Sequence, residues 1–453
     1  MPLLNGGLQP HWDSGHLRCS AAIGPTLIVT PHLVLYCEVP GSWQHGTKAP
    51  KSFMADDRKL FSRIFVVLGL VIGVGPLAVD SSLPAMGDMA IGLGIDVGRI
   101  QTSLSAFVFG VATGQLAWGT LADRFGRRPT LIAGLSAYIV AAWALGLADT
   151  IEPIILLRFI QGAGSAAVFI VSRAVVRDVF DMTTSARMFA RLYQIVGLFA
   201  VICPVIGGQL TELFGWRAVF FFMAAWATVG LIVVAFTLRE SLAEPDHTAL
   251  QLRQIFASFV ELYGDAAFRG YLLVGTGSYV GLFAILAGMP IVVIDYLGES
   301  PAVFGYLYSS VMIAYLAAAA VSERIVRRVG IETTAAIGVA IVALAAILTV
   351  AANAADYVIL ETVVVVNATV MIGFAFTMPA VTAGALGNFH HMAGRATALM
   401  GFTQQAIGAV TVFMIGLATD GTPRPHTIAM AFAGLIAVGA YVLLVRQLRA
   451  KET

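Results

Sequence analysis

Long apolar segments recur from residue 61 to residue 445, and this pattern restricts the chain to very few folds. A helix crosses the hydrocarbon of a bilayer with about 20 residues, and the segments have about that length. Charged residues make up 12% of the sequence, about half the share in a soluble protein. The sequence therefore predicts an all-α integral membrane protein. We predict twelve transmembrane helices, at 61–83, 101–121, 130–148, 154–176, 188–213, 217–238, 269–294, 304–321, 333–352, 358–380, 394–418 and 427–445.

A charged turn occurs twice between apolar segments, about 200 residues apart. The two copies are Asp123-Arg124-Phe125-Gly126-Arg127-Arg128 and Glu323-Arg324-Ile325-Val326-Arg327-Arg328. In the second copy Val326 replaces the glycine. Many transporters are built from internal repeats around a central binding site. The repeat therefore predicts two pseudo-symmetric six-helix bundles and favours transport as the function.

The longest polar connection between predicted helices divides the chain into halves of similar size. It contains apolar residues at helical spacing, which predict a short amphipathic helix on the membrane surface; these are Leu252, Ile255, Phe256, Phe259 and Leu262. The predicted organisation is an N-terminal bundle at 54–238, a linker at 239–268, a C-terminal bundle at 269–446 and a tail at 447–453.

The first 53 residues do not fit this organisation. Ala21–Val39 is apolar but is interrupted by Pro25 and Pro31, and a secretory signal would have an unbroken apolar region. Residues 54–59, by contrast, look like an ordinary start just before the first helix. We expect residues 1–53 to be disordered or to follow from a start codon assigned too early.

Basic residues concentrate in alternate connections between the predicted helices. With the N-terminus in the cytoplasm, only Arg99, Arg217 and Arg424 fall on the opposite side of the membrane. Cytoplasmic loops carry the excess of lysine and arginine in membrane proteins. The distribution therefore predicts that both termini are cytoplasmic, in the inner membrane of a bacterium.

Cysteine content and charge indicate what the protein does not do. The cysteines Cys19, Cys37 and Cys203 have neither metal-ligand nor disulfide spacing. The net charge of +1 gives no indication of nucleic-acid binding. The sequence shows no nucleophile–base arrangement and no metal-ligand set, so an enzyme is the least expected reading. We expect a monomer that contacts small molecules, protons and lipids, and no cofactor or metal.

Ionisable residues inside predicted helices are candidates for function, because a charge in hydrocarbon is costly. Asp80 ends the first helix, after the loosening residues Gly73–Pro76, and it either carries a proton or reaches the outer surface. Arg158 in the fourth helix needs a polar partner, which is either Asp80 or backbone carbonyls. Glu361 in the tenth helix is either a second proton carrier or an interfacial residue.

The repeated turn is a candidate cytoplasmic gate. Gly126 allows a tight turn, and Asp123 is expected to accept hydrogen bonds from the first turn of a neighbouring helix. The simpler alternative is a positive loop that only fixes orientation. The predicted gate residues are Gly119, Asp123, Arg124, Gly126, Arg127, Arg128, Glu323, Arg324, Arg327 and Arg328.

Two further sets of residues are expected to serve transport. In the fifth helix, Pro204 predicts a kink, and Gly207 and Gly208 permit bending or close packing. Aromatic and amide side chains within spans are candidates to line a cavity, since soft aromatic contacts accommodate varied apolar ligands. The cavity candidates are Phe107, Gln115, Gln161, Tyr193, Tyr279, Phe283, Tyr315 and Gln404.

These motifs together resemble those of a known family. They are Gly119–Arg128, Arg158–Gly162, Pro204–Gly208, Ala78–Pro84 and Phe389–Gly394. The chain is similar, from about Leu60 to Arg446, to twelve-helix transporters of the Major Facilitator Superfamily (MFS), and within it to the Bcr/CflA drug/proton antiporters. Two positions depart from the antiporter motif of the fifth helix, since Phe199 and Cys203 stand where glycine is usual.

The resemblance implies the MFS fold and multidrug efflux driven by the proton gradient through a rocker-switch cycle. It also implies that the arginine of the fourth-helix motif, Arg158, takes part in proton coupling. Two alternatives stay open at this stage. One is a proton-coupled or facilitated transporter of a single metabolite, and the other is a membrane sensor that does not transport.

Overall fold

The computed structural model describes the backbone of residues 51–245, 252–387, 389 and 392–452, and the side chains of 59–245, 257–387, 389 and 392–444. Contacts divide the chain into two units, Met1–Arg58 and Lys59–Thr453. Of the first unit the structure describes residues 51–58, which are helical. For residues 1–50, the prediction of disorder falls outside the described residues. Residues 51–53, by contrast, are the beginning of the first helix.

Regular structure in the described part of the chain is helical. The helices are α1 (Lys51–Ile72), α2 (Val74–Asp80), α3 (Met86–Leu93), α4 (Val97–Phe125), α5 (Arg127–Leu147), α6 (Ile151–Val179), α7 (Met182–Phe214), α8 (Trp216–Thr237), α9 (Leu252–Gly264), α10 (Ala266–Pro290), a π-helical segment (Ile291–Tyr296), α11 (Pro301–Ala354), α12 (Leu360–Leu386), α13 (Ala393–Ala418) and α14 (Arg424–Glu452).

The described residues contain eleven helical stretches that are long and apolar enough to cross a membrane. Lys59–Asp80 combines most of α1 with α2, and Ala266–Tyr296 combines α10 with the π-helical segment. The longest stretch, α11, has 54 residues and is broken at Gly330, where φ is 81° and ψ is 175°. Since one crossing takes about 20 residues, α11 holds two spans. The twelve predicted spans are thereby confirmed, and the protein is a multi-pass membrane protein.

Two short helices lie between spans. The sequence analysis missed α3, which is too short to show a membrane-span pattern; it is followed by Gly94 in a left-handed conformation. The carboxylate of Asp88 in α3 accepts a hydrogen bond from the backbone N–H of Trp216 at 2.9 Å, so the helix is held by the beginning of α8. The other short helix, α9, lies within the predicted linker and begins at Leu252.

The two halves meet through two pairs of helices, α4 with α13 and α7 with α11. Counted as spans, α4 is the second and α13 the eleventh, whereas α7 is the fifth and the first part of α11 is the eighth. Moving six spans along the chain exchanges the two pairs, as a pseudo-twofold relation between the halves requires. Side chains reinforce both contacts: Ser105 Oγ donates to Ala409 O at 2.8 Å, and Ser309 Oγ donates to Val201 O at 2.6 Å. The predicted arrangement of two pseudo-symmetric six-helix bundles is confirmed.

Candidate functional site

Asp80 is the last residue of α2, and it is buried, with 7% of its surface exposed. The Tyr308 hydroxyl donates a hydrogen bond to Asp80 Oδ1 at 3.4 Å. Tyr308 belongs to α11 in the second half, whereas Asp80 belongs to the first. The carboxyl group therefore lies where the halves meet, and the alternative that it reaches the outer surface is wrong.

Arg158 of α6 is buried as well, with 1% of its surface exposed. One terminal nitrogen donates to Ala78 O at 3.0 Å and to Gln161 Oε1 at 2.9 Å. The other terminal nitrogen donates to Ser82 Oγ at 2.9 Å. The guanidinium group is thus held by neutral oxygens, two of which flank Asp80 in the sequence.

Aromatic rings complete the surroundings of Arg158. Its guanidinium carbon is 4.9 Å from the ring centre of Phe107 and 5.6 Å from that of Phe220. Ring faces attract a cation, and more strongly where water is excluded. Phe107 can approach because Gly162 of α6 lies against its backbone, where a Cβ atom would overlap the Phe107 carbonyl.

The expected ion pair between Asp80 and Arg158 is not formed, since no nitrogen–oxygen distance between these two described side chains is within 4 Å. Helical geometry gives the reason. Ala78 and Ser82 are four residues apart and share one face, whereas residue 80 projects to the opposite side. An arginine that binds both flanking residues therefore cannot face Asp80. The second alternative, binding to backbone and hydroxyl oxygens, is the one observed.

The fifth span, α7, packs closely on both sides of this region. Pro204 lies within the helix. A Cβ atom at Gly207 would overlap the backbone of Ser81, and one at Gly208 would overlap the backbone of Pro301 at the start of α11. The predicted glycines therefore bring the end of the first span and the start of the eighth span together around α7.

The first copy of the repeated turn forms a network around Arg127. Its side chain donates to Asp123 at 2.5 Å and to Asp178, at the end of α6, at 2.9 Å. The Glu240 carboxylate accepts from the backbone N–H groups of Arg127 at 2.9 Å and Arg128 at 3.1 Å. Gly126 forms the turn with φ of 102° and ψ of 156°.

The backbone N–H groups in the first turn of α5 donate to Glu240, whereas Asp123 accepts a hydrogen bond from the side chain of Arg127 in that turn. Asp123 lies one turn before Arg127 and pairs with it instead. Burial opposes ionisation of Glu240, but the N–H groups of Leu242, Arg127, Arg128 and Ser241 hold its pKa below the usual value. The sequence analysis missed Asp178 and Glu240. In the sequence, each of these acids directly follows an arginine at the end of a span, and this pattern could have identified them.

The remaining residues of the first copy lie around this network. Arg128 donates to Ala235 O near the end of α8 at 2.7 Å. The guanidinium carbon of Arg124 lies 5.7 Å from the ring centre of Phe125. Gly119, half-buried in α4, has only a side-chain atom of Ile170 within 4.0 Å of where its Cβ would be.

The second copy is open to its surroundings. Glu323 and Arg327 form an ion pair of 2.5 Å with side chains 67% and 74% exposed. Arg324 and Arg328 are exposed. The turn that Gly126 makes in the first half is made by Gly330, four residues after the valine that replaces the glycine of the motif.

Glu361 lies in the first turn of α12 and is exposed. The described contacts do not connect it with Asp80 or Arg158, so the structure does not bring the three proposed coupling residues together. Among the described residues, no group of three or more His, Cys, Asp or Glu side chains is arranged to hold a metal ion.

The cavity candidates separate into groups. Phe107 and Gln161 belong to the surroundings of Arg158. Tyr279, Phe283 and Tyr315 form an aromatic cluster with Phe374, a residue that the sequence analysis missed. Ring centres in this cluster are 5.3 Å apart for Tyr279–Phe374, 6.1 Å for Tyr279–Phe283 and 6.1 Å for Tyr315–Phe374.

The other candidates have contacts of their own. Gln115 of α4 lies against Gly401 of α13, and Gln404 of α13 lies beside Gly275 of α10. Tyr193 is 42% exposed and its hydroxyl group accepts a hydrogen bond from Arg173.

Residues 68–412 match the model of the Major Facilitator Superfamily. The chain belongs to this superfamily, and it is therefore a transport protein. Relatives carry the resistance names expected of drug/proton antiporters, which confirms the predicted resemblance. The chain is 28% identical over 390 residues to a "Bicyclomycin resistance protein homolog" from Haemophilus influenzae, covering 84% of this chain and 96% of that protein.

Two further relatives are similar over most of their length. "Multidrug resistance protein D" of Escherichia coli is 24% identical, over 83% of this chain and 94% of its own length. A "Chloramphenicol resistance protein" of Pseudomonas aeruginosa is 27% identical, over 80% of this chain and 86% of its own.

Solved structures support the fold alone. A peptide transporter in complex with sulfate has a TM-score of 0.71 at 16% identity, over 85% of this chain and 94% of its own. A D-xylose–proton symporter has a TM-score of 0.67 at 14% identity, over 84% of this chain and 96% of its own.

Proposed function

We propose that this protein is a proton-coupled antiporter that exports small amphipathic compounds, antibiotics among them, across the bacterial inner membrane. The observation that carries the proposal is the burial of a carboxyl group, Asp80, at the contact between the two halves. The names of the relatives support efflux of drugs. The proton gradient is the only energy source required, without a cofactor.

Asp80 suits the coupling of a proton to a conformational change. A carboxyl group binds and releases a proton, whereas the guanidinium of Arg158 keeps its charge at any physiological pH. Arg158 binds oxygens on both sides of Asp80, so it fixes the segment from which the carboxyl group projects. In this cycle Arg158 positions the acid, and Asp80 carries the proton.

The contacts between the halves support a rocker-switch cycle. Several of them lie at the end of the bundle that carries Asp80 and Pro301, which we call the Asp80 end. Gly208 packs on Pro301 there, and Gln101 Nε2 donates to Ala287 O at 2.9 Å. With cytoplasmic termini, as the arginine distribution favours, this end faces outward and is closed.

The gate residues lie at the opposite end, which we call the arginine end. Arg127 is joined there to Asp123 and Asp178, and both acids belong to the first half. The network therefore does not cross between the halves in this conformation. We expect the arginine end to form contacts across the halves only when the Asp80 end opens.

The aromatic cluster around Phe374 is the proposed contact surface for substrate. Its rings come from α10, α11 and α12 of the second half, and Phe283 also lies against Gly408 of α13. Aromatic faces bind apolar molecules with few directional demands, which fits varied amphipathic compounds. We expect the protein to act as a monomer surrounded by lipid.

Transport into proteoliposomes tests the proposal. The chain is reconstituted with a proton gradient, and uptake of ethidium and of chloramphenicol is followed for wild type and Asp80→Asn. We expect wild type to accumulate at least one compound against its gradient and Asp80→Asn to lose at least about 90% of that accumulation, because asparagine cannot carry a proton.

Asp149→Asn is the matched control, because Asp149 pairs with Arg217 and its side chain is 84% exposed. It should transport like wild type. Accumulation by Asp80→Asn at the wild-type level would exclude Asp80 as the proton carrier. Proton flux with one metabolite only would indicate a dedicated transporter, and absence of substrate-dependent proton flux with every compound of a broad panel would indicate a sensor.

A further inference from the structure

We infer that the hydrogen bond from the Tyr308 hydroxyl to Asp80 strengthens when Asp80 is ionised. This bond then keeps the empty, deprotonated carrier closed at the Asp80 end. This inference rests on the proposed proton antiport and adds a residue that the motifs do not contain. Tyr308 acts as a positioning residue between the halves. Its function would be to prevent a return step that wastes the proton gradient.

The hydrogen bond is placed by close packing of the two halves. Tyr308 is 1% exposed, and its ring centre lies 5.8 Å from that of the fully buried Phe304. One turn before Tyr308, Gly305 lies against the backbone of Pro204, where a Cβ atom would overlap the carbonyl. The hydroxyl therefore reaches Asp80 only while α11 is packed on α7.

Other polar groups around Asp80 do not take over this contact. Arg158 is turned to Ala78 and Ser82, and the Tyr138 hydroxyl donates to Val74 O at 3.2 Å. Cys203 of α7 is a buried free cysteine. Within the described part of the chain, Tyr308 is the one group that donates a hydrogen bond to the Asp80 carboxyl.

The strength of this hydrogen bond depends on the proton that Asp80 carries. An ionised carboxylate accepts a hydrogen bond about twice as strongly as a neutral acid. When Asp80 releases its proton to water, Tyr308 keeps its own hydrogen and donates it to the resulting carboxylate. Proton release therefore strengthens the contact between the halves, and protonation weakens it.

This dependence serves an antiporter in one specific way. If the empty, deprotonated carrier opened outward, it would take up another proton and bring it in without exporting substrate. A stronger hydrogen bond in the deprotonated state opposes that opening. Bound substrate would then supply the free energy that separates the halves.

The test is proton entry in the absence of substrate. Wild type, Tyr308→Phe and Tyr306→Phe are reconstituted in liposomes that contain a pH-sensitive dye, with acid outside. Tyr306 is a matched control on the same helix, because it is 56% exposed and accepts a hydrogen bond from Gln209 across the halves at 3.3 Å. Ethidium binding is measured in parallel.

We expect Tyr308→Phe to raise substrate-free proton entry at least about fivefold, with ethidium binding retained and fewer ethidium molecules exported per proton. Tyr306→Phe should behave like wild type. If Tyr308→Phe binds ethidium and stays as tightly coupled as wild type, the inference is wrong. Proton entry is also measured with ethidium present, and if wild type shows no substrate-dependent proton flux there, the proposed antiport itself fails rather than the role of Tyr308.

A second measurement does not depend on the folding of Tyr308→Phe. Gln209→Cys with Tyr306→Cys places a crosslinkable pair at the Asp80 end. Without substrate, the crosslinking rate of this pair should fall when Asp80 becomes protonated at lower pH, and it should be independent of pH when Asp80→Asn is added. A pH response that persists unchanged with Asp80→Asn would overturn the inference.

Discussion

The two copies of the repeated turn have nearly the same residues but different surroundings. In the first half, Arg127 has 10% of its side chain exposed and contacts two carboxylates. In the second half, the side chain of Arg327 is 74% exposed, and Glu323 is its one acidic partner among the described residues. The motif therefore specifies a turn and its charges, whereas the carboxylates that pair with those charges come from other helices.

The difference originates in the acids at the ends of neighbouring spans. Asp178 and Glu240 follow the fourth and sixth spans and reach the first copy. In the part of the chain that the structure describes, Arg327 has no such partner beyond its own helix turn. Only the first copy is therefore built as a network, and the predictions below test whether that asymmetry matters.

The largest expected difference is between Arg127→Gln and Arg327→Gln. Loss of hydrogen bonds to charged groups costs about 2–3 kcal/mol, so Arg127→Gln should lower the thermal midpoint in detergent by several degrees. The exposed pair contributes about 0.5 kcal/mol or less, so Arg327→Gln should leave the midpoint nearly unchanged. Differential scanning fluorimetry of both variants measures this.

Equal shifts for Arg127→Gln and Arg327→Gln would mean that the two copies are equivalent in solution. The acids that surround Arg127 would then not distinguish the two halves. Asp178→Asn should reproduce part of the Arg127→Gln effect, because it removes one of the two carboxylates.

The second comparison is between the turn glycines. Gly126 and Gly330 both have a positive φ that side-chain-bearing residues rarely adopt, and alanine at either position costs about 1–3 kcal/mol. A Cβ at position 126 would also lie 2.6 Å from the Glu240 carboxylate, whereas one at position 330 would meet open space. We expect Gly126→Ala to lower the thermal midpoint more than Gly330→Ala.

Gly330→Ala is the control for Gly126→Ala, because it introduces the same backbone strain without a collision between the new Cβ and a carboxylate. If both alanine variants unfold at the same temperature, Glu240 moves away at little cost. The Glu240 carboxylate would then be held less firmly in the network around Arg127 than its hydrogen-bond distances indicate.

The smallest expected effect is a dependence of stability on pH. The pKa of Glu240 is held below its usual value, so its ionised form stabilises the fold above about pH 4.3, the unfolded value, and this contribution is lost as pH falls through the folded pKa. Glu240→Gln should therefore be less stable than wild type at pH 7, and the difference should shrink from about pH 5 downward.

Glu323→Gln supplies the comparison from the second half, since its side chain is 67% exposed and pairs, among the described residues, with Arg327 alone. Its midpoint should follow that of wild type over the same pH range. A constant difference between Glu240→Gln and wild type down to about pH 3 would contradict the role assigned to the Glu240 carboxylate.

Much of the fold could be predicted, because crossing a bilayer imposes a length and a composition that are visible locally. The twelve spans and the close-packing glycines Gly207 and Gly208 followed from such patterns. The burial of Arg158 also followed, since it stands within an apolar segment. The break in α11 followed too, since Gly330 lies between the predicted eighth and ninth spans, but it comes four residues after the position at which the repeat suggested a turn.

The partners of those residues could not be predicted, because they depend on side-chain directions across helices. Asp80 and Arg158 are at similar depth, which suggested an ion pair. The turn of the chain from Ala78 to Ser82 directs the carboxyl group away from the arginine and toward Tyr308.

The sequence by itself determined a membrane-spanning helical protein with two related halves and an acid at the end of its first span, because hydrophobicity and charge act over short stretches of chain. Only the tertiary structure decided that this acid meets a tyrosine of the opposite half and that Glu240 caps α5. Both contacts join residues more than a hundred positions apart. Their geometry is set by how whole helices pack, which no local pattern encodes.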